Sequence, residues 1–169
     1  MMTKKEAQTL ARLLKKIPEQ NFFIPDEAFE PLHGAVSMWA PELVILRKRT
    51  HGAEILLTPY QGKFARGYWH IPGGYNIWNE TIQETCSRVA KRELDFDVKY
   101  LEVLDADKWR EGEHPYGRPL SVYVLCEPRK TVRETADMKF WDASRLPRKM
   151  ITIHRRFIAR HFHNRRRRK

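Results

Sequence analysis

His70–Phe96 reads H-I-P-G-G-Y-N-I-W-N-E-T-I-Q-E-T-C-S-R-V-A-K-R-E-L-D-F. A strand at Trp69–Ile71 stops at Pro72-Gly73-Gly74. The two glycines allow positive φ and let a backbone approach a ligand closely. Thr81 or Asn79 can cap a helix beyond the loop, and Glu80 suits that helix's positive end. Ile82, Cys86 and Val89 recur at i, i+4 and i+7, and Glu93 lies on the same stripe. A carboxylate ending an apolar stripe is partly buried and needs an ionic partner or a metal. Both readings stay open for Glu93. Arg88 can fork onto Glu80 and hold the loop against the helix, or bridge to Glu84 one turn earlier. Trp69, Tyr68 and Trp78 flank the loop and can stack on a base or sugar. For Trp69, core packing is the competing assignment.

The spacing of Gly74, Glu80, Arg88 and Glu93 resembles the Nudix box, G-x5-E-x7-R-E-U-x-E-E-x-G-U with U aliphatic. The resemblance implies a Nudix-type α/β/α sandwich with a mixed β-sheet. It also implies metal-dependent hydrolysis of a nucleoside diphosphate linked to another group. Val89 stands where a glutamate follows the arginine, Arg92 where the Glu pair begins, and Asp95 where the box ends in glycine. A hard divalent cation wants several oxygen ligands, and only Glu93 of that carboxylate cluster is kept.

R-G-Y-W-H-I at Arg66–Ile71, and Glu80–Leu94, are similar to the GDP-mannose mannosyl hydrolase branch. That resemblance implies a single Mg²⁺ or Mn²⁺ on Glu93 and the Gly73 carbonyl, and a nucleotide sugar as substrate. The Gln-His pair of that branch would fall near Thr135 and Ala136, and its arginine after Gly-Gly is Tyr75 here. Glu93, Arg88 and Glu80 are the candidate catalytic set. Lys63, Arg66, Trp69 and Tyr75 are the candidates for substrate contact. A general base must reach the attacking water; Glu111, Glu113, His114 and Glu134 are the candidates. Homodimers are common among such proteins, so a dimer is open to this chain.

The chain's 169 residues suit one domain with an ordinary core. The expected division is an N-terminal helix within 1–20, the Nudix domain over 21–163 and a basic tail over 164–169. No apolar run approaches a membrane span, and the N-terminus lacks a signal-peptide apolar region. Cys86 and Cys126 make neither a disulfide framework nor a zinc motif, so reduced thiols and a cytoplasmic setting are expected. The net charge of +11 is concentrated at the end: Ala143–Lys169 holds eleven Lys or Arg and no acid. Such a tail, ending in Arg165–Lys169, can attract RNA or another polyanion by counterion release, or serve solubility alone.

Around the motif, a first helix is expected at Lys4–Ile17 with Ala7, Leu10, Leu14 and Ile17 as its apolar stripe. A loop follows, with a short helical turn near Asp26–Phe29. Strands are expected at Gly34–Trp39, Glu42–Arg47, Glu54–Thr58, Val98–Ala106, Leu120–Cys126 and Lys139–Trp141. A terminal helix follows Pro147. Two functions compete: a single-metal Nudix-type hydrolase, and a non-catalytic Nudix-fold protein that binds nucleotide or RNA.

Overall fold

A computed structural model of the chain describes residues 2–19, 24–50, 52–77 and 79–162. Trp78 and the basic run Arg165–Lys169 lie outside the described residues. The elements are α1 (Lys4–Leu14), α2 (Lys16–Glu19), α3 (Asp26–Ala35), β1 (Trp39–Val44), β2 (Leu46–Arg49), β3 (Gly52–Pro59), β4 (Trp69–His70), α4 (Ile82–Leu94), β5 (Val98–Lys108), β6 (Leu120–Pro128), β7 (Lys139–Asp142) and α5 (Thr152–Phe162). A short 3-10 turn at Lys63–Ala65 precedes β4.

One sheet has the order β1-β6-β5; β1 runs parallel to β6, and β5 antiparallel to it. In the other, β3 pairs antiparallel with β2, β4 and β7. The side-chain period of two along a strand sorts the core into two layers. Leu43, Ile45, Leu56, Val124 and Cys126 pack against Cys86, Val89, Ala90 and Leu94 of α4. Val44, Ile55, Leu57 and Tyr123 pack on the other side against Phe157 and Ile158 of α5. The mixed strands thus lie between two helices, the α/β/α arrangement. Tyr123 and Phe157 stack at 3.7 Å between centroids, at the centre of the α5 layer.

Two expectations at the N-terminal side need correction. The first helix ends at Leu14, and Pro18 falls inside the separate turn α2. The stripe of α1 is not packed: α1 contains no buried residue, and Leu10, Leu13 and Leu14 are exposed. Its stability comes from local terms, including a Thr3–Glu6 capping box. Gly34 does not begin a strand, because α3 continues to Ala35 and β1 starts at Trp39. Pro31 inside α3 hides that helix from a reading by breakers, though Asp26 and Glu27 in the first turn favour it.

Candidate active site

The Gly73-Gly74 loop is held along β1. The Leu43 amide donates to Pro72 O (2.7 Å), the Gly74 amide to Pro41 O (3.2 Å) and the Asn76 amide to Trp39 O (3.2 Å). Neither glycine has the positive φ expected from the sequence; among the described glycines only 52, 67, 112 and 117 do. Close approach is what requires them. A Cβ on Gly73 would lie 1.9 Å from Glu42 Oε2 and 3.0 Å from Pro41 O. A Cβ on Gly74 would lie 2.8 Å from Arg92 Nη2 and 3.1 Å from Val89 Cγ2.

The loop's far end is tied to α4. Thr81 caps the helix, and its hydroxyl oxygen accepts from the Glu84 amide in a capping box. Arg88 forks onto Glu80, with Nε to Oε1 at 2.6 Å and Nη2 to Oε2 at 2.7 Å. The same Nη2 donates to Tyr75 O at 2.8 Å. The guanidinium beside Glu80 holds that carboxyl below the usual range. Neither Glu80 nor Arg88 lines the adjoining cavity, so their geometry is that of a clamp on the loop.

That cavity encloses about 510 Å³, within the range of small-molecule sites. Its polar lining includes residues of four separate elements, Glu42 of β1, Thr58 of β3, His70 of β4 and His154 of α5. Glu42 of β1 is buried and accepts from the Ser121 hydroxyl at 2.7 Å; Ser121 accepts from the Trp109 indole N–H at 3.0 Å. His154 of α5 accepts the Ile71 amide at Nδ1 (2.9 Å), which leaves its neutral ring protonated at Nε2. That Nε2 faces Glu42 Oε1 at 3.6 Å and has no hydrogen-bond partner. His70 of β4 meets the Thr58 hydroxyl at 3.2 Å and lies 4.0 Å from Glu93 Oε2. Tyr60, Phe64, Tyr75 and Trp109 give the cavity aromatic walls.

Glu93 stands at the edge of the cavity with its side chain 21% exposed. Burial raises its carboxyl above the usual range, against the neighbouring Arg92. Arg92 Nη2 donates to Glu93 Oε1 at 2.6 Å and to Gly73 O at 3.2 Å. These are the two donors that the resemblance assigns to a divalent cation. The structure brings them together, but a guanidinium spans them. Among the described residues no three His, Cys, Asp or Glu side chains gather as a metal-binding group. The residues as placed do not fit a bound divalent ion.

The other candidates separate clearly. Tyr75 lines the cavity and its hydroxyl hydrogen-bonds the His33 ring at Nε2; burial raises its phenol. Lys63 is exposed and pairs with Asp26 at 2.8 Å, and Arg66 is exposed. Trp69 packs edge-on against Trp141 at 5.2 Å in the α5 core layer, away from the cavity. Of the candidate bases, Glu111 pairs with Arg118, Glu113 with Arg156 and Glu134 with Arg47. His114 alone of these four lines the cavity, stacked on His33 at 4.8 Å. Glu42, His70 and His154 had no local signal in the sequence. Each sits on an ordinary strand or helix, and only the fold brings them together.

The buried histidines predict an acid-labile fold. Burial drops His70 to about 3. Burial, with His33 adjoining, drops His114 to about 4. Both rings are neutral in the fold and titrate near 6.5 when unfolded. The unfolded chain therefore binds more protons below pH 6.5, and stability falls as pH falls from there towards 3–4. The raised Glu93 opposes this, but His33, also lowered by burial, adds to the other two histidines. Melting temperature should hold above pH 7 and drop between pH 6.5 and 4.5, with a smaller drop in His114→Asn. A flat profile through that window would contradict the neutral-histidine assignment.

The chain belongs to the Nudix family: the NUDIX domain model matches residues 39–161. A curated relative, the low-salt glycan biosynthesis protein Agl8 of Haloferax volcanii, is 37% identical over 75 residues. The match covers 44% of this chain and 46% of that protein, so the chain spans less than half of the relative's length. Among solved structures, a UDP-X diphosphatase aligns with TM-score 0.58 at 18% identity, covering 93% of this chain and 82% of that one. The NUDIX domain of Shewanella oneidensis NrtR, solved with ADP ribose, aligns with TM-score 0.57 at 17% identity, covering 93% and 95%. At such identities the structural likeness concerns the fold.

Proposed function

We propose that the cavity holds a nucleoside diphosphate derivative, such as a nucleotide sugar of the GDP-mannose kind, and that the chain hydrolyses it. One observation carries this reading: the Gly73-Gly74 loop, Glu93 and Arg92 meet at one edge of a cavity whose walls are aromatic. The Arg92 guanidinium at that edge suits a diphosphate, and Tyr60, Phe64 and Trp109 suit a base or sugar ring. The name of the Haloferax relative points to glycan biosynthesis, a process fed by activated sugars. Two solved structures of the same fold are a UDP-X diphosphatase and a NUDIX domain holding ADP ribose.

In such a reaction water attacks phosphorus or the anomeric carbon, and the bond to the leaving group breaks. His114, neutral above about pH 4, can take the proton from the attacking water. The Glu80–Arg88 clamp positions the loop and touches no reacting atom. The family resemblance calls for Mg²⁺ or Mn²⁺. An ion reaching Glu93 and Gly73 O would first have to part Arg92 from both.

The second reading, a nucleotide-binding Nudix fold without turnover, is favoured by the same Arg92 contacts. A release screen separates the two. Purified protein is offered nucleotide sugars, dinucleoside polyphosphates and nucleoside triphosphates, with Mg²⁺, with Mn²⁺ and with chelator. The hydrolase reading expects release from one class, lost in Glu93→Gln. Silence across the panel from a folded protein would sink the hydrolase and leave the binder.

A further inference from the structure

We infer that Arg92 is a resident cation that takes the place of a divalent ion between Glu93 and the Gly73 carbonyl, so that this edge of the cavity binds a diphosphate without metal. The inference rests on reading the cavity as a diphosphate site, and it says what charge that site supplies.

Three observations converge on it. First, a single nitrogen, Arg92 Nη2, donates to both Glu93 Oε1 and Gly73 O. One carboxylate and one carbonyl are neutralised and satisfied together, which is the work of a bound cation. Second, the surroundings admit the guanidinium. Gly74 lacks the Cβ that would lie 2.8 Å from Nη2 and 3.5 Å from Nη1. Val89, fully buried, packs beside the same glycine. Third, the carboxylates that would call for divalent ions are reduced. Val89 is apolar where the family pattern has a glutamate, and Glu93 faces the Arg92 guanidinium directly, with Glu42 another carboxylate of the lining. A divalent ion added beside Arg92 would meet a like charge at short range in a partly desolvated site.

Arg92 keeps capacity for a ligand. Its Nε and Nη1 have no hydrogen-bond partner among the described residues, its side chain is 54% exposed, and it lines the cavity. A guanidinium has five N–H donors in a planar fork that matches phosphate oxygens. Nη2 can stay anchored on Glu93 and Gly73 while the other edge meets a phosphoryl group. Glu93 then positions the arginine. Lysine, a single point charge, cannot reach both anchors and ligand in the same way.

Two titrations test this on the full chain: Mn²⁺ followed by electron paramagnetic resonance, and inorganic pyrophosphate followed by calorimetry in chelator. Wild type should show no saturable Mn²⁺ site, and Arg92→Glu, which sets two carboxylates side by side, should gain one. Wild type should bind pyrophosphate in chelator. Arg92→Gln should weaken that binding by about tenfold or more, since bonds to charged groups are worth that much; Arg92→Lys should recover only part of it. A melting curve for each variant confirms folding. If Arg92→Glu does not fold, Arg92→Gln, which also frees Glu93, takes its place in the Mn²⁺ titration. Saturable Mn²⁺ binding by wild type as tight as in the variant would overturn the inference. Pyrophosphate binding that needs Mg²⁺, or that ignores Arg92→Gln, would overturn it too. Wild type binding no pyrophosphate under either condition would instead overturn the diphosphate reading of the cavity, while the Mn²⁺ titration still decides the role of Arg92.

Discussion

Gly73→Ala should cost about 3 kcal/mol. The added Cβ would lie 1.9 Å from Glu42 Oε2 and 3.0 Å from the Pro41 carbonyl. Neither neighbour can yield cheaply. Pro41 O is backbone within β1 and already accepts the Gly74 amide. Glu42 is 5% exposed and is held by the Ser121 hydroxyl, which in turn is held by Trp109. Moving the carboxylate breaks that chain and leaves buried polar groups short of partners. At roughly 2–4 °C per kcal/mol for a domain of this size, the melting temperature should fall by about 10 °C. Gly73→Ala should cost less in a Glu42→Ala background than in the wild type, because the clash with the carboxylate is absent there. Additive effects in that cycle would show that the two residues do not touch.

Arg88→Ala should cost about 2–3 kcal/mol. The arginine makes a two-pronged bond to Glu80 and a third bond to the Tyr75 carbonyl. Removing it leaves a carboxylate whose side chain is only 17% exposed with the Thr85 hydroxyl but without its ionic partner. A fully buried pair would cost more; Arg88 itself is 30% exposed, so solvent replaces some of the loss. Arg88→Lys should lose about half as much, because the charge stays and the fork does not. Urea denaturation gives the cost. Hydrogen exchange should quicken at the loop amides of Gly74 and Asn76 in Arg88→Ala, well beyond the change at β6. Unchanged exchange there would mean that the clamp does not hold the loop.

Much of this was legible in the chain, for physical reasons that differ by residue. The helix Ile82–Leu94 shows itself through its cap and its stripe, both local features. The Gly-Gly loop is visible as composition; of its two expected reasons, close backbone approach holds and positive φ does not. Positive φ is a property of one residue, whereas the demand at Gly73 comes from Glu42, thirty-one positions earlier. The start of α3 is legible as a turn at Asp26–Phe29, but its continuation to Ala35 is not, because Pro31 and Gly34 look like breakers and the fold tolerates both. Trp69 sits next to the loop in sequence, yet its ring turns to Trp141 and the α5 layer. Arg92 could be recognised as a positive charge beside Glu93. That it reaches across to Gly73 O depends on how β1 holds the loop, which no spacing reveals.

The most direct test of the ligand site reads its histidines by NMR. Imidazole signals of His70, His114 and His154 are followed as a nucleotide sugar or ADP ribose is added. These three rings line the cavity, while His161 lies outside it and pairs with Asp105. The account predicts saturable shifts in the three and none in His161. Saturable binding that leaves the three cavity histidines unmoved would contradict it.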